Sequence, residues 1–71
     1  MVSALVEAGR YHSRVEADLA RLLLENEGIP AILFDAEVNS FYGGLLVPVR
    51  LMVPGDDLSA ALDFLGQAGL P

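Results

Sequence analysis

Residues 13–31 read SRVEADLARLLLENEGIPA, and they contain the signals for both ends of one helix and for the start of a strand. Ser13 and Glu16 have the spacing of a capping box, in which each side chain accepts a hydrogen bond from the other residue's backbone N–H. A helix is therefore predicted to begin here. The large apolar side chains that follow recur at helical spacing, and we expect them to face the core. They are Val15, Leu19, Leu22 and Leu23.

The same stretch predicts where the helix ends. Gly28 suits the left-handed backbone conformation that follows a helix, and Ile29 is placed to pack back on Leu24, as a Schellman motif requires. Pro30 prevents continuation because it has no backbone N–H to donate. We therefore expect the helix to stop just before Gly28 and a strand to follow at residues 31–34.

Two more strands are predicted, one before this stretch and one after it. Residues 5–8 form a short apolar run closed by Gly9. In residues 47–53 the side chains alternate between two different faces, as they do in a strand. The alternation predicts a core face of Val47, Val49, Leu51 and Val53 and an opposite face of Pro48, Arg50 and Met52. Pro48 lacks a donor for the sheet and is expected near the start of its strand.

A second helix is predicted at the end of the chain. Residues 54–57 read PGDD, a turn in which Asp56 is expected to cap the helix and Asp57 to interact with its dipole. The expected core face has helical spacing and consists of Leu58, Ala61, Leu62 and Leu65. Gly66 and Gly69 are expected to end the helix.

The order of these elements is β-α-β-β-α, and it predicts an α+β two-layer sandwich. The right-handed crossover rule places the third strand between the first two, in a three-stranded antiparallel sheet with both helices on one face. This is a truncated ferredoxin-like fold, a single domain over residues 1–71. Residues 68–71 are too short for the fourth strand of that fold, so the outer edge of the first strand is expected to be unpaired.

Composition excludes several classes of function. The chain has 71 residues, a net charge of −6, one His and no Cys. These numbers exclude disulfides, thiolate zinc sites and thiol nucleophiles, and they argue against nucleic acid as a partner. No cofactor, metal site or membrane-spanning segment is expected, and the cytoplasm is the expected compartment. Because so short a domain is marginally stable alone, its 54% hydrophobic content favours a homo-oligomer, with a dimer as the expected assembly.

The chain resembles the family of "putative prokaryotic signal-transducing proteins", small domains of unknown function, along nearly its whole length. The segments that carry the resemblance are residues 16–25, EGIPA (27–31), SFYGG (40–44), VRLMVP (49–54) and the helix start at Asp57, Leu58 and Ala61. The family is compared in fold with the P-II-type nitrogen regulators, ferredoxin-like nucleotide-binding trimers with a long loop after the second strand. Here residues 35–46 occupy that position, without the basic residues that grip phosphates. The resemblance therefore implies the fold and a signalling role.

The candidate interface or ligand-binding residues lie in two places. Four large apolar side chains occur in the predicted 35–46 loop, namely Phe41, Tyr42, Leu45 and Leu46. They either fold over their own sheet or contact a partner subunit or ligand, and both interpretations stay open. Arg50 and Met52 are predicted on the helix-free face of the sheet, with Leu5 and Leu33 as neighbours. Glu7, or an acid across an interface, is a candidate partner for the Arg50 charge.

Other polar features favour ordinary structural roles. His12 is interpreted as a turn residue, the Asp35/Glu37 and Asp56/Asp57 pairs as solvated or capping charges, and Gly43-Gly44 as a loop stem. The resulting hypothesis is a small regulatory or protein-interaction module, not an enzyme, acting as a homo-oligomer. The alternative is a sensor of a small metabolite or nucleotide, with its site near the 35–46 loop at a subunit interface.

Overall fold

A three-stranded antiparallel sheet carries two helices in the computed structural model, which describes residues 4–34 and 48–69. The elements are β1 (Leu5–Tyr11), α1 (Arg14–Asn26), β2 (Ile32–Phe34), β3 (Val49–Pro54), a 3-10 turn (Gly55–Asp57) and α2 (Leu58–Gln67). The strands are ordered β1-β3-β2, and β3 pairs antiparallel with both neighbours. The predicted α+β fold is confirmed. In the described part of the chain β1 pairs with β3 alone, and Ala68 and Gly69 form a turn after α2.

Strand β1 is longer than predicted, because Gly9 lies inside it instead of closing it. A Cβ at Gly9 would stand 3.0 Å from the Tyr11 hydroxyl oxygen and 3.3 Å from its ring carbons, so the glycine leaves room for that ring. The register shifts between Glu7 and Gly9, which leaves Ala8 as the extra residue of a β-bulge. Tyr11, only 1% exposed, then packs in the core.

The predicted core face of α1 is wrong for three of its four residues. Val15 is 72% exposed, and Leu19 and Leu22 are each 55% exposed, while Leu23 is partly buried against the core. The side chains that bury completely are Ala17, Ala20 and Leu24. The physical reason is the small size of the two alanines, which lets the helix backbone approach the sheet more closely than a row of leucines would.

Both ends of α1 lie where they were predicted, and one of the two hydrogen bonds of the predicted capping box is present. The Ser13 Oγ accepts a hydrogen bond from the Glu16 backbone N–H at 3.4 Å. At the other end the Gly28 N–H donates to the Glu25 carbonyl at 3.0 Å, and the Ile29 N–H donates to the Leu24 carbonyl at 2.9 Å. These two bonds form a Schellman motif, and Gly28 has the left-handed φ of 84° that the motif needs.

Gly28→Ala is expected to lower the free energy of unfolding by about 1 kcal/mol, because an L residue is strained at this φ. Gly66→Ala is the matched control. A Cβ at either glycine meets nothing within 4 Å, but Gly66 lies inside α2 without the positive φ, so alanine there should stabilise by about 0.5 kcal/mol. Urea denaturation of both variants measures this. Equal shifts in the same direction would contradict the backbone explanation.

Strand β3 supplies the centre of the core. Val49, Leu51 and Val53 are fully buried, which confirms the predicted alternation for the described residues, and Val47 lies outside them. Pro48, predicted inside the strand near its start, lies immediately before it.

Helix α2 differs from the prediction at its start and along one side. The N-cap is Asp57, not Asp56, and its side chain makes no capping hydrogen bond, because the 3-10 turn runs directly into the helix. Leu62 was expected in the core but is 49% exposed, and Phe64 packs there instead, beside Ala61 and Leu65. The helix is thus rotated so that Leu62 lies on the flank of its buried face.

Candidate functional site

The helix-free face of the sheet is the first candidate site, and strand pairing determines its members. Directly opposite residues of an antiparallel pair share a face. Phe34 is opposite Arg50, and Ile32 is opposite Met52. On the other side of β3, Glu7 and Arg10 pair with the same two residues, and Leu5 pairs with Pro54. The prediction that Arg50 and Met52 share this face is confirmed by their register.

Leu33, however, was expected on this face and lies on the other one. It pairs with the buried Leu51 and packs against the core, whereas its neighbours Ile32 and Phe34 occupy the helix-free face. A shift of one residue in register moves every side chain of a strand to the opposite face. The sequence signal that was missed is the small residue Ala31, which is buried. It lies two residues before Leu33, and side chains at this spacing in an extended chain point to the same face.

An ion pair on this face depends on the bulge in β1. The Nε atom of Arg10 lies 2.8 Å from Oε2 of Glu7, although residues three apart in a regular strand point to opposite faces. The extra residue at Ala8 brings both side chains to the helix-free face. The pair is solvent-exposed and contributes little to stability, but it fixes two opposite charges at the edge of the sheet.

A cation–π contact lies at the other edge of the same face. The guanidinium carbon of Arg50 is 5.6 Å from the centroid of the Phe34 ring, within the range of this interaction. Both side chains are half-buried. Met52, on the central strand of this face, is only 8% exposed. The most exposed large apolar side chains of the face are Ile32, which is 47% exposed, and Leu5, which is 38% exposed.

The predicted loop residues Phe41, Tyr42, Leu45 and Leu46 lie outside the residues that the structure describes, as do Asp35, Glu37 and Gly43-Gly44. The structure therefore brings together Arg50 and Met52 among the predicted site residues, and it adds Ile32 and Phe34, which were predicted only as members of a strand.

The outer surface of α1 is a second candidate site. Val15, Leu19 and Leu22 form a row at i, i+4 and i+7, which we call the α1 stripe, and it lies opposite the face that packs on the sheet. A ladder of charges flanks it, with alternating sign along the helix: Arg14, Asp18, Arg21 and Glu25. Successive members are joined by ion pairs of 3.8, 3.7 and 2.8 Å.

Two titratable residues, Tyr11 and His12, lie just before the start of α1. His12 is exposed in the bend between β1 and α1. Burial raises the pKa of the neighbouring Tyr11 hydroxyl, and the Glu16 carboxylate raises that pKa further, so the phenol stays protonated at neutral pH. Within residues 4–34 and 48–69, no three His, Asp or Glu side chains are grouped so as to hold a metal ion.

Neither of the helices that the structure describes has the length and hydrophobicity needed to cross a lipid bilayer.

Comparison with known proteins identifies the family. No curated protein and no solved structure matches the chain significantly. One family model does match, over residues 5–69, and its description is "Putative prokaryotic signal transducing protein". The match begins at the first residue of β1 and extends past the end of α2, so it includes every element of the fold. The chain therefore belongs to this family.

Proposed function

We propose that this domain is a regulatory protein-interaction module in signal transduction, that it acts as a homo-oligomer, and that it is not an enzyme. The observation that carries the proposal is the exposure of large apolar side chains on two opposite surfaces, the helix-free sheet face and the α1 stripe. Exposed apolar patches on a soluble domain are typical of binding surfaces. The family description supports the signalling role.

The helix-free face is proposed as the surface for a partner protein. Met52 of the central strand and Ile32 and Phe34 of the β2 edge form an apolar patch, and the β1 edge carries the Glu7–Arg10 ion pair. An apolar patch bordered by polar groups is typical of interfaces between proteins that also exist apart. Arg50, held over Phe34, adds an aromatic–arginine pair of the kind enriched in energetically dominant contacts.

Site-specific photo-crosslinking tests this surface. A photoreactive amino acid placed at position 32, on the helix-free face, is expected to give a discrete adduct with a second protein in the native prokaryotic host. The same group at Ser59, an exposed residue of α2, is the control and is expected to give none. Mass spectrometry of the adducts identifies what was captured.

Three results would contradict the proposal for this face. They are equal labelling from both positions, no adduct from position 32, and an adduct that contains only two copies of this chain. In the last case the helix-free face would join subunits, so the homo-oligomer would stand and the partner surface would not.

A further inference from the structure

We propose that the α1 stripe binds the α1 stripe of a second copy of this chain, with the two helices antiparallel about a two-fold axis near Leu19. The inference rests on the proposed homo-oligomer and names its subunit contact. The contact joins Val15, Leu19 and Leu22 of one protomer to the same three residues of the other, so it is self-complementary, as a two-fold interface must be.

The first argument is the exposure of the stripe. Val15 is 72% exposed, and Leu19 and Leu22 are each 55% exposed, on a helix whose opposite face is already buried against the sheet. A surface helix normally has one apolar face, and its outer face is polar. A second row of large apolar side chains at helical spacing therefore indicates a second packing partner, because burying it removes apolar surface from water.

The second argument is the sign of the flanking charges. From Arg14 to Glu25 the charges of the ladder are positive, negative, positive and negative. A helix that runs in the opposite direction presents them in the order negative, positive, negative and positive. In an antiparallel pair Arg14 faces Glu25 of the partner subunit, and Asp18 faces the partner subunit's Arg21. Every charge then meets an opposite charge, which favours this partner and this register.

The two-fold geometry determines which flanks meet. In an antiparallel two-fold pair, a flank of one helix lies against the same flank of the other, so the ladders meet each other. In a parallel two-fold pair, the ladder would lie against the opposite flank, where Glu16 and Leu23 occur in place of a ladder. Charge complementarity is therefore obtained only in the antiparallel arrangement.

The apolar and charged registers agree with each other. The charge pairs centre the contact between residues 19 and 20, and pairing Leu19 with its own copy places Val15 near Leu22 of the partner subunit. The centre of the charge pairs and the centre of the apolar pairs thus differ by less than one residue, and one residue corresponds to a rise of about 1.5 Å along a helix. One antiparallel arrangement thus satisfies both the stripe and the ladder.

The experiment measures mass by light scattering from about 5 to about 500 µM, since a dimer held by one helix of 13 residues is expected to dissociate on dilution. The wild-type chain should approach the mass of a dimer. Leu19→Asp places two carboxylates at the axis and should raise the dissociation constant at least about tenfold. Leu62→Asp makes the same change at a comparably exposed leucine of α2 and should leave the mass unchanged.

Mixing two charge variants tests the antiparallel register. Arg21→Glu brings like charges against Asp18 of the partner subunit, and Asp18→Arg brings like charges against the partner's Arg21, so each variant alone should dimerise about tenfold more weakly. Mixed together, the two chains restore every opposite-charge pair across the axis. A heterodimer close to wild-type affinity is therefore expected in the mixture, with circular dichroism showing that both variants keep their helices.

The outcomes distinguish the α1 contact from the homo-oligomer on which it rests. A wild-type chain that stays monomeric throughout overturns the homo-oligomer and this contact together. A dimer that survives Leu19→Asp, or that Leu62→Asp weakens equally, leaves the homo-oligomer standing and overturns the α1 contact. A mixture that dimerises no better than its components overturns the antiparallel register.

Discussion

Leu24→Ala is expected to lower the free energy of unfolding by about 3 kcal/mol. Leu24 is fully buried on the sheet side of α1, so the substitution removes apolar contacts and leaves a cavity. Alanine is the best helix former, so the loss measures burial and not helix propensity. A domain of this length has a total stability of about 4–10 kcal/mol, so one substitution removes a large share of it. Urea denaturation followed by circular dichroism measures the change.

Leu22→Ala is the matched control, since it makes the same substitution two residues earlier on the same helix. Leu22 lies on the exposed α1 stripe, and its truncation is expected to change the stability of the monomer by less than about 0.5 kcal/mol. The measurement is made at low protein concentration, where association does not contribute. A loss at Leu22 as large as that at Leu24 would contradict the orientation of α1.

Local signals in the sequence were sufficient to predict the elements and their order. The cap at Ser13 and the Schellman end at Gly28 each depend on a few neighbouring residues, so the limits of α1 could be predicted without knowing its partners. The alternation from Val49 to Val53 likewise identified β3 and its buried face. With the strand order from the crossover rule, these signals gave the architecture.

The orientation of α1 could not be predicted, because two of its faces have helical apolar spacing. The stripe that includes Leu19 has the larger side chains, and hydrophobicity alone therefore favours it for the core. The face that buries has Ala17 and Ala20, whose advantage is a close approach to the sheet, and that depends on the tertiary arrangement. The α1 stripe, which stays exposed, is the face that we propose binds another copy of the chain.

The candidate site was predicted in part for a related reason. Arg50 and Met52 lie within a strand of six residues whose alternation is clear, so their face was predictable. β2 has only three residues, too few to establish alternation, and Leu33 was placed on the wrong face. The meeting of Glu7 and Arg10 requires a bulge, for which the spacing of these two residues gives no signal.

Ala20→Leu is expected to lower the free energy of unfolding by about 2–3 kcal/mol, although it makes the helix more hydrophobic. Ala20 is fully buried where α1 meets the core, so three additional carbon atoms force the helix away from the sheet or its neighbours into strained rotamers. The same denaturation experiment measures the loss.

Ala60→Leu is the control for Ala20→Leu. Ala60 is exposed on α2, and alanine and leucine differ little in helix propensity, so this change should stay within about 0.5 kcal/mol. If Ala20→Leu left stability unchanged, there would be free space between α1 and the sheet, and close approach could not be the reason that the alanines face inward. A loss at Ala20 alone supports that reason, because the two variants add the same atoms and differ only in what surrounds them.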